Sequence, residues 1–288
     1  MAVTVRCPTQ IDEALAALAE LPGAQILAGG TDLMVEINHG SRRPDAIVAV
    51  GRVAQLRGWG REDGDVLRIG AATTYTELLG AGLARAAPAL AAAARTVGSP
   101  QIRNAGTIGG NLATASPAGD TLPVLVALDA EVELASVAGT RRVPVREFIT
   151  GPKRTALAAG ELVVAVRIRA AAPGDGQEYL KVGTRNAMVI AVASCAVIVE
   201  PALRRVRVAL GSVGPVPLRA PEAEAWAAEH VWAPGAPADV GVFGRLVAEA
   251  ARPIDDHRST ADYRRHAVAV LAARGLQRCL RGERGAAA

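Results

Sequence analysis

The sequence is poor in the residues that announce a metal centre or a stacking surface. Among its 288 residues are three cysteines, Cys7, Cys195 and Cys279. They lie too far apart for a zinc-ligand pair, a disulfide framework or the clustered thiolates of an iron–sulfur centre, so no metal site is assigned to the chain. Three Trp, three Tyr and two Phe are too few for a surface that stacks bases or sugars. The histidines, His39, His230, His257 and His266, are scattered. They form no acid–base or nucleophilic constellation with serine or carboxylate, and no catalytic residue is assigned. No apolar run reaches the ~18 residues of a membrane span. Met1 to Val5 leads into a polar segment without the pattern of a signal peptide, so the expected location is the cytoplasm. Nor is there a basic block. The net charge of +4 is spread over isolated pairs such as Arg42-Arg43, Arg141-Arg142 and Arg204-Arg205, which argues against nucleic acid as a partner.

What is present is an aliphatic, globular composition, 50% hydrophobic and 21% charged, on a chain long enough for two or three domains. The first stretch, 1–55, reads as β-α-β-α-β. Thr9 and Asp12 flank a helix start, and Ile11, Leu15, Leu18 and Leu21 keep helical spacing until Pro22-Gly23 stops it. Ala24 to Ala28 is a short apolar strand, Leu33 to Asn38 a second helix, and Asp45 to Val50 a further strand, which together predict a small parallel sheet. Residues 56–175 change character. Val66 to Ile69, Glu131 to Leu134 and the strict alternation from Leu162 to Arg169 predict strands with one wet face, interrupted by helices over Ala86–Arg95 and Leu122–Leu128. This is a mixed α+β domain with a mostly antiparallel sheet. After the linker Ala171 to Gly176, residues 176–288 form a third domain. It has strands at Ser194–Glu200 and Val206–Leu210, three helical segments ending near Leu280, a capping box of Ser259 with Asp262, and a frayed Gly-Ala-Ala-Ala tail.

Two segments carry chemistry. In Ile26-Leu27-Ala28-Gly29-Gly30-Thr31-Asp32-Leu33 a strand runs through two glycines into a helix start. Bare Cα atoms and unpaired N–H groups suit a pyrophosphate there. A tight turn capped by Thr31 or Asp32 is the alternative. The segment is not G-x-G-x-x-G, so a nicotinamide Rossmann site gains little support. The second segment, Gly98 to Asp120, mixes glycines, hydroxyls, amides and a carboxylate without the apolar period of a core element. Its polar groups need partners, which a polyphosphate and ribitol would supply; a long surface loop is the alternative.

Ala28-Gly29-Gly30-Thr31-Asp32 and Thr107-Ile108-Gly109-Gly110-Asn111 together resemble the two FAD-pyrophosphate loops of the medium, flavoprotein subunits of the xanthine dehydrogenase and carbon monoxide dehydrogenase family. Val97 to Asn104, Thr114-Ala115-Ser116-Pro117-Ala118-Gly119-Asp120 and Lys181 to Met188 extend the likeness over essentially the whole chain. The resemblance implies an α+β fold. A small N-terminal βαβ subdomain and a mixed, mostly antiparallel subdomain enclose FAD in the PCMH-type manner, followed by a C-terminal antiparallel sheet with helices. It implies noncovalent FAD held by Leu27, Ala28, Gly29, Gly30, Thr31, Asp32, Leu33, Ile102, Thr107, Ile108, Gly109, Gly110, Asn111, Thr114 and Ser116. Asp120 would hold an adenosine ribose hydroxyl, with Val163 and Lys181 near the isoalloxazine; a surface role is the alternative for Lys181. The sequence departs from the family pattern at Ala105, where arginine is common.

The same resemblance implies an electron-transfer subunit in a hetero-oligomer. Partner subunits would carry [2Fe–2S] clusters and molybdopterin, and electrons would pass from the iron–sulfur subunit through FAD to NAD or another acceptor. Glu36-Ile37-Asn38 and Lys181 to Val192 look most like bacterial xanthine dehydrogenase flavoprotein subunits, which makes purines the expected substrates of the whole complex. Two rivals stand beside this reading. One is a free-standing FAD oxidoreductase of related fold, such as a peptidoglycan-precursor reductase or vanillyl-alcohol-type oxidase. The other is a nucleotide-binding scaffold that has lost its flavin.

Overall fold

The computed structural model describes residues 3–185, 188–234 and 238–282. Asn186 and Ala187 of the family-like segment, and the Gly-Ala-Ala-Ala tail, lie outside the described residues. The chain forms two compact units whose segments alternate along the sequence: Met1–Leu78, Ser99–Ala115 and Ala130–Arg169 in the first, and Leu79–Gly98, Ser116–Asp129 and Ala170–Ala288 in the second.

The first unit begins with the predicted small parallel sheet. Ala46–Ala49 lies at its centre between Thr4–Arg6 and Gln25–Leu27. Helix Ile11–Glu20 starts where the Glu13 carboxylate reaches back to the N–H of Thr9 and Gln10, at 2.8 and 3.2 Å. It buries Ala14, Leu15, Ala17 and Leu18 against Val48, Val50 and Leu56 in a core shared with Leu162 and Val164. Those last two residues belong to Leu162–Arg169, the central strand of a five-stranded antiparallel sheet. Its order is Trp59–Arg61, Val66–Gly70, Leu162–Arg169, Glu131–Ser136, Gly139–Pro144. The alternation expected over Leu162–Arg169 holds from Val166 to Arg169; before that a bulge between Val163 and Ala165 breaks the period, and Leu162 to Val166 are buried on both faces. Leu67, Ile69, Val132, Leu134, Val166 and Ile168 are buried, while Arg68 and Arg167, directly opposite one another, are neutralised on the other face by Glu62 and Glu133.

The second unit is built on a four-stranded antiparallel sheet, Gly176–Val182, Ala193–Glu200, Arg205–Gly211 and Leu218–Arg219. All of Ala193–Glu200 is buried. Cys195, Val197 and Val199 pack with the helices Pro221–His230, Val240–Ala250 and Ala261–Arg281. Thr121–Ala127 and Pro88–Thr96 pack against the same sheet.

Four local readings are corrected. The segment after Gly98 is helical rather than a loop. Ser99 and Thr107 cap the short helices Pro100–Ala105 and Ile108–Thr114, and Ile108 and Leu112 are fully buried. Tertiary packing outweighs the low helix propensity of Gly109-Gly110. The predicted helix Ala86–Arg95 is two helices, Ala81–Ala86 and Pro88–Thr96, because Pro88 can only open a new helix. The last helix is capped one residue later than expected, by Thr260 Oγ1 accepting from Tyr263 N–H at 3.3 Å. Ser259 instead exchanges backbone hydrogen bonds with Asp256. Gly176–Val182 is a strand that directly follows the predicted linker and that the apolar pattern does not reveal.

Candidate cofactor site

The first glycine segment leaves strand Gln25–Leu27, turns at Gly30 with φ +72°, and enters helix Leu33–Asn38. A side chain is excluded at Gly29, where a Cβ would stand 1.8 Å from the Ala105 carbonyl oxygen. The residue at which the sequence departs from the family pattern is thus the one whose backbone lies against the first loop. Among the described residues, the backbone N–H groups of Gly29, Gly30, Thr31, Asp32 and Leu33 donate to no atom of the chain. Such groups are costly to leave unmet unless water or a ligand accepts from them.

The second segment is fixed by its backbone. Thr107 forms a bridge with Thr74, Ile108 N–H donates to the Thr73 carbonyl and Gly109 N–H to that of Ala71, at 3.0 and 2.9 Å. Thr107 Oγ1 accepts from Gly110 N–H at 3.0 Å. Gly109 has no room for a side chain, since a Cβ would meet the Ala71 Cβ at 2.6 Å. Both glycine segments line one cavity of about 350 Å³. Its walls include Leu56, Ala71, Ala72, Tyr75 and Leu162, and Glu36, Arg42 and Lys153 place charge on it.

Leu27 through Leu33, Thr107, Gly109, Gly110, Asn111, Thr114 and Val163 line this cavity together. Ile102, Ile108, Ser116, Asp120 and Lys181 are not among its lining residues. Ile108 is core, and Ile102 sits in the short helix before Gly106, accepting the Gly106 N–H at 2.7 Å. Ser116, Asp120 and Lys181 belong to the second unit. There Lys181 Nζ donates to Asp120 Oδ2 at 2.7 Å and to the Thr96 carbonyl at 3.1 Å, and the Tyr179 hydroxyl donates to Asp120 Oδ1 at 2.8 Å. Burial pushes the Asp120 carboxyl above the usual carboxylate range, against the pull of Lys181.

Sequence reasoning gave no site role to Glu36, Arg42 or Lys153, three charged residues of the cavity. Glu36 Oε1 accepts from Lys153 Nζ at 3.0 Å and Oε2 pairs with Arg42 Nε at 2.7 Å. The Lys153 hydrogen bond, with Arg42 beside it, holds the Glu36 carboxyl below its usual range. Glu36 and Lys153 are 117 positions apart, and no local pattern pairs them.

The unmet donors and the two bare Cα positions fit a dinucleotide pyrophosphate, and the comparisons agree. Residues 1–170 match the model of the FAD binding domain in molybdopterin dehydrogenase, and 178–279 that of the CO dehydrogenase flavoprotein C-terminal domain. The chain belongs to this family of FAD-binding flavoprotein subunits of molybdenum hydroxylases, as its sequence motifs imply. It is 32% identical over 264 residues to the xanthine dehydrogenase FAD-binding subunit of Escherichia coli O157:H7, covering 90% of this chain and 89% of that one. It is 35% identical over 217 residues to the carbon monoxide dehydrogenase medium chain of Hydrogenophaga pseudoflava, covering 74% and 75%. The solved structure of a Cu,Mo-CO dehydrogenase in cyanide-inactivated form matches with a TM-score of 0.89 at 30% identity over 98% of both chains. The α+β architecture expected from the sequence is the fold of that flavoprotein. No described helix is long and apolar enough to cross a membrane.

Proposed function

We propose that this chain is the electron relay of a molybdenum hydroxylase assembled from several subunits. It takes electrons from a [2Fe–2S] partner subunit, itself served by a molybdopterin subunit, and passes them to NAD or another acceptor. The observation that carries the reading is the row of unmet N–H groups from Gly29 to Leu33, lining one cavity with the second glycine segment. In this reading those donors hold the FAD pyrophosphate, Thr31, Asn111 and Thr114 hold polar atoms of the ribitol side, and Val163 lies near the ring. Bound FAD supplies the capacity to accept electrons singly or in pairs; the chain supplies binding, orientation and shielding from water.

Purines are the first donors to try, since relatives include a xanthine dehydrogenase subunit, although a nicotinate dehydrogenase FAD-subunit from Eubacterium barkeri is 38% identical over 192 residues. The test is anaerobic reduction of the flavin by purines or aldehydes, in the isolated chain and in the reconstituted complex. Bleaching is expected only in the complex. Equal rates in the isolated chain would make the chain itself the oxidase and overturn the relay.

A further inference from the structure

We propose that Lys153 and Glu36 form a latch that ties the two glycine segments together beside the cavity and sets how slowly FAD leaves. The inference rests on the reading that FAD occupies this cavity. Lys153 is the second residue of the Pro152-Lys153 turn in the hairpin joining strands Ile149–Gly151 and Arg154–Thr155. Its main chain and its side chain bind different glycine segments. The backbone N–H donates to the Ala115 carbonyl at 3.0 Å, at the C-terminal cap of the helix that carries Gly109 and Gly110. The ammonium donates to Glu36 at 3.0 Å, on the helix that follows Gly29 and Gly30. One residue thereby links two segments otherwise about 75 positions apart in the chain.

The backbone at this link is strained. Lys153 has φ +54° and Ala115 φ +46°, both in the left-handed region that favours glycine. Strain of this kind persists where the surroundings enforce it, and it gathers at binding sites. Folding stability gives little reason for it, because the Lys153 side chain is 66% exposed and an exposed ion pair contributes little. The charge arrangement favours a latch over a direct cofactor contact. Both Glu36 oxygens are engaged, one by Lys153 and one by Arg42, so the carboxylate is neutralised beside a site meant for a pyrophosphate. The ammonium is occupied by Glu36 and the guanidinium of Arg42 also reaches Gln25.

FAD release from the full-length chain, followed by the rise of free-flavin fluorescence on dilution, tests this. Glu36→Gln and Lys153→Met should each speed release by about three- to fivefold, the scale of a partly exposed ion pair. The double variant should be no faster than either single variant, and Lys153→Arg should stay within about twofold of the parent chain, because it restores the charge and the reach. Additive effects, or unchanged rates in both single variants, would overturn the latch. Faster release in Lys153→Met beside unchanged release in Glu36→Gln would also overturn it, and would place Lys153 on the cofactor itself. Gly29→Ala separates this failure from failure of the cavity reading. FAD retained in Gly29→Ala refutes the cavity, whereas FAD lost there with normal release in the latch variants refutes the latch alone.

Discussion

In the first unit the N–H groups of Gly29 to Leu33 line a cavity and find no acceptor among the described residues. In the second, Asp120, Tyr179 and Lys181 leave solvent together and bond one another. Arg264 does the same there, at 2% exposure, spending its guanidinium on Asp256 and on the carbonyls of Val192 and Ser212. Among the described residues both units leave polar groups without a partner: in the first, the adjacent N–H row of Gly29 to Leu33, on half-buried or exposed residues beside one cavity; in the second, the single buried atoms Arg207 Nε, Ser212 Oγ and Arg264 Nε. Adjacent N–H groups that converge on one cavity at a helix start suit an anion, whereas single unpaired atoms scattered among bonded side chains do not. In the second unit Asp120, Tyr179, Lys181 and most of the Arg264 guanidinium are bonded within the unit.

The sharpest way to break this comparison is to close the open side. Gly29→Ala would push a Cβ into the Ala105 carbonyl and force the first segment away from the second. FAD content of the purified chain, read from the ratio of flavin to protein absorbance, should fall to nearly nothing, while far-ultraviolet circular dichroism stays close to that of the parent. Full flavin content in this variant would mean that the unmet N–H groups are not where FAD binds.

A smaller effect is expected from opening the closed side. Asp120→Ala leaves Lys181, 8% exposed, without its counter-charge. Breaking a buried pair this way costs about 3–5 kcal/mol, so the melting temperature should drop by several degrees or more. Asp120→Leu combined with Lys181→Met removes both charges and should recover most of that loss. Flavin affinity in the double variant then decides the ribose-binding role expected of Asp120. An affinity equal to the parent's leaves the pair purely structural, and a ten- to hundredfold weaker one assigns it to the cofactor as well. Unchanged stability in Asp120→Ala would break the comparison from this side.

The same contrast explains what could be read from the sequence. Strands were legible where one face is wet, as in the Val166–Arg169 end of Leu162–Arg169; the bulge between Val163 and Ala165 and the burial of both faces there left no such signal. The parallel sheet was legible because Pro22-Gly23 and the Gly29-Gly30 turn punctuate it. The helices around Gly109 were hidden because they are short and the second is glycine-rich; the start signals Ser99-Pro100 and Thr107 were present, but packing on Ala71 and Thr73 is what holds the second helix. At the site, the glycine segments announced themselves because their chemistry is local. The Lys153–Glu36 pair and the Asp120–Lys181 pair did not, because each joins residues that only the folded chain brings together.

The smallest effect comes from a matched pair of helix caps, one in each unit. Thr107 Oγ1 accepts the Gly110 N–H beside the cavity, and Thr260 Oγ1 accepts the Tyr263 N–H at the start of Ala261–Arg281. The chemistry is the same, so Thr107→Ala and Thr260→Ala should each cost about 1 kcal/mol of stability. Their effects on flavin should differ. Thr107 lines the cavity and its cap orients the turn that carries Gly109 and Gly110, so its loss should weaken FAD binding by about tenfold beyond any effect of stability. Thr260 caps a helix of the second unit, and its alanine variant should bind FAD like the parent. Chemical denaturation and flavin titration of the two variants, measured side by side, give both quantities. Equal flavin affinities would show that the second glycine segment is held by its backbone bonds to Ala71 and Thr73 alone, and that the open side of the comparison depends on the first segment.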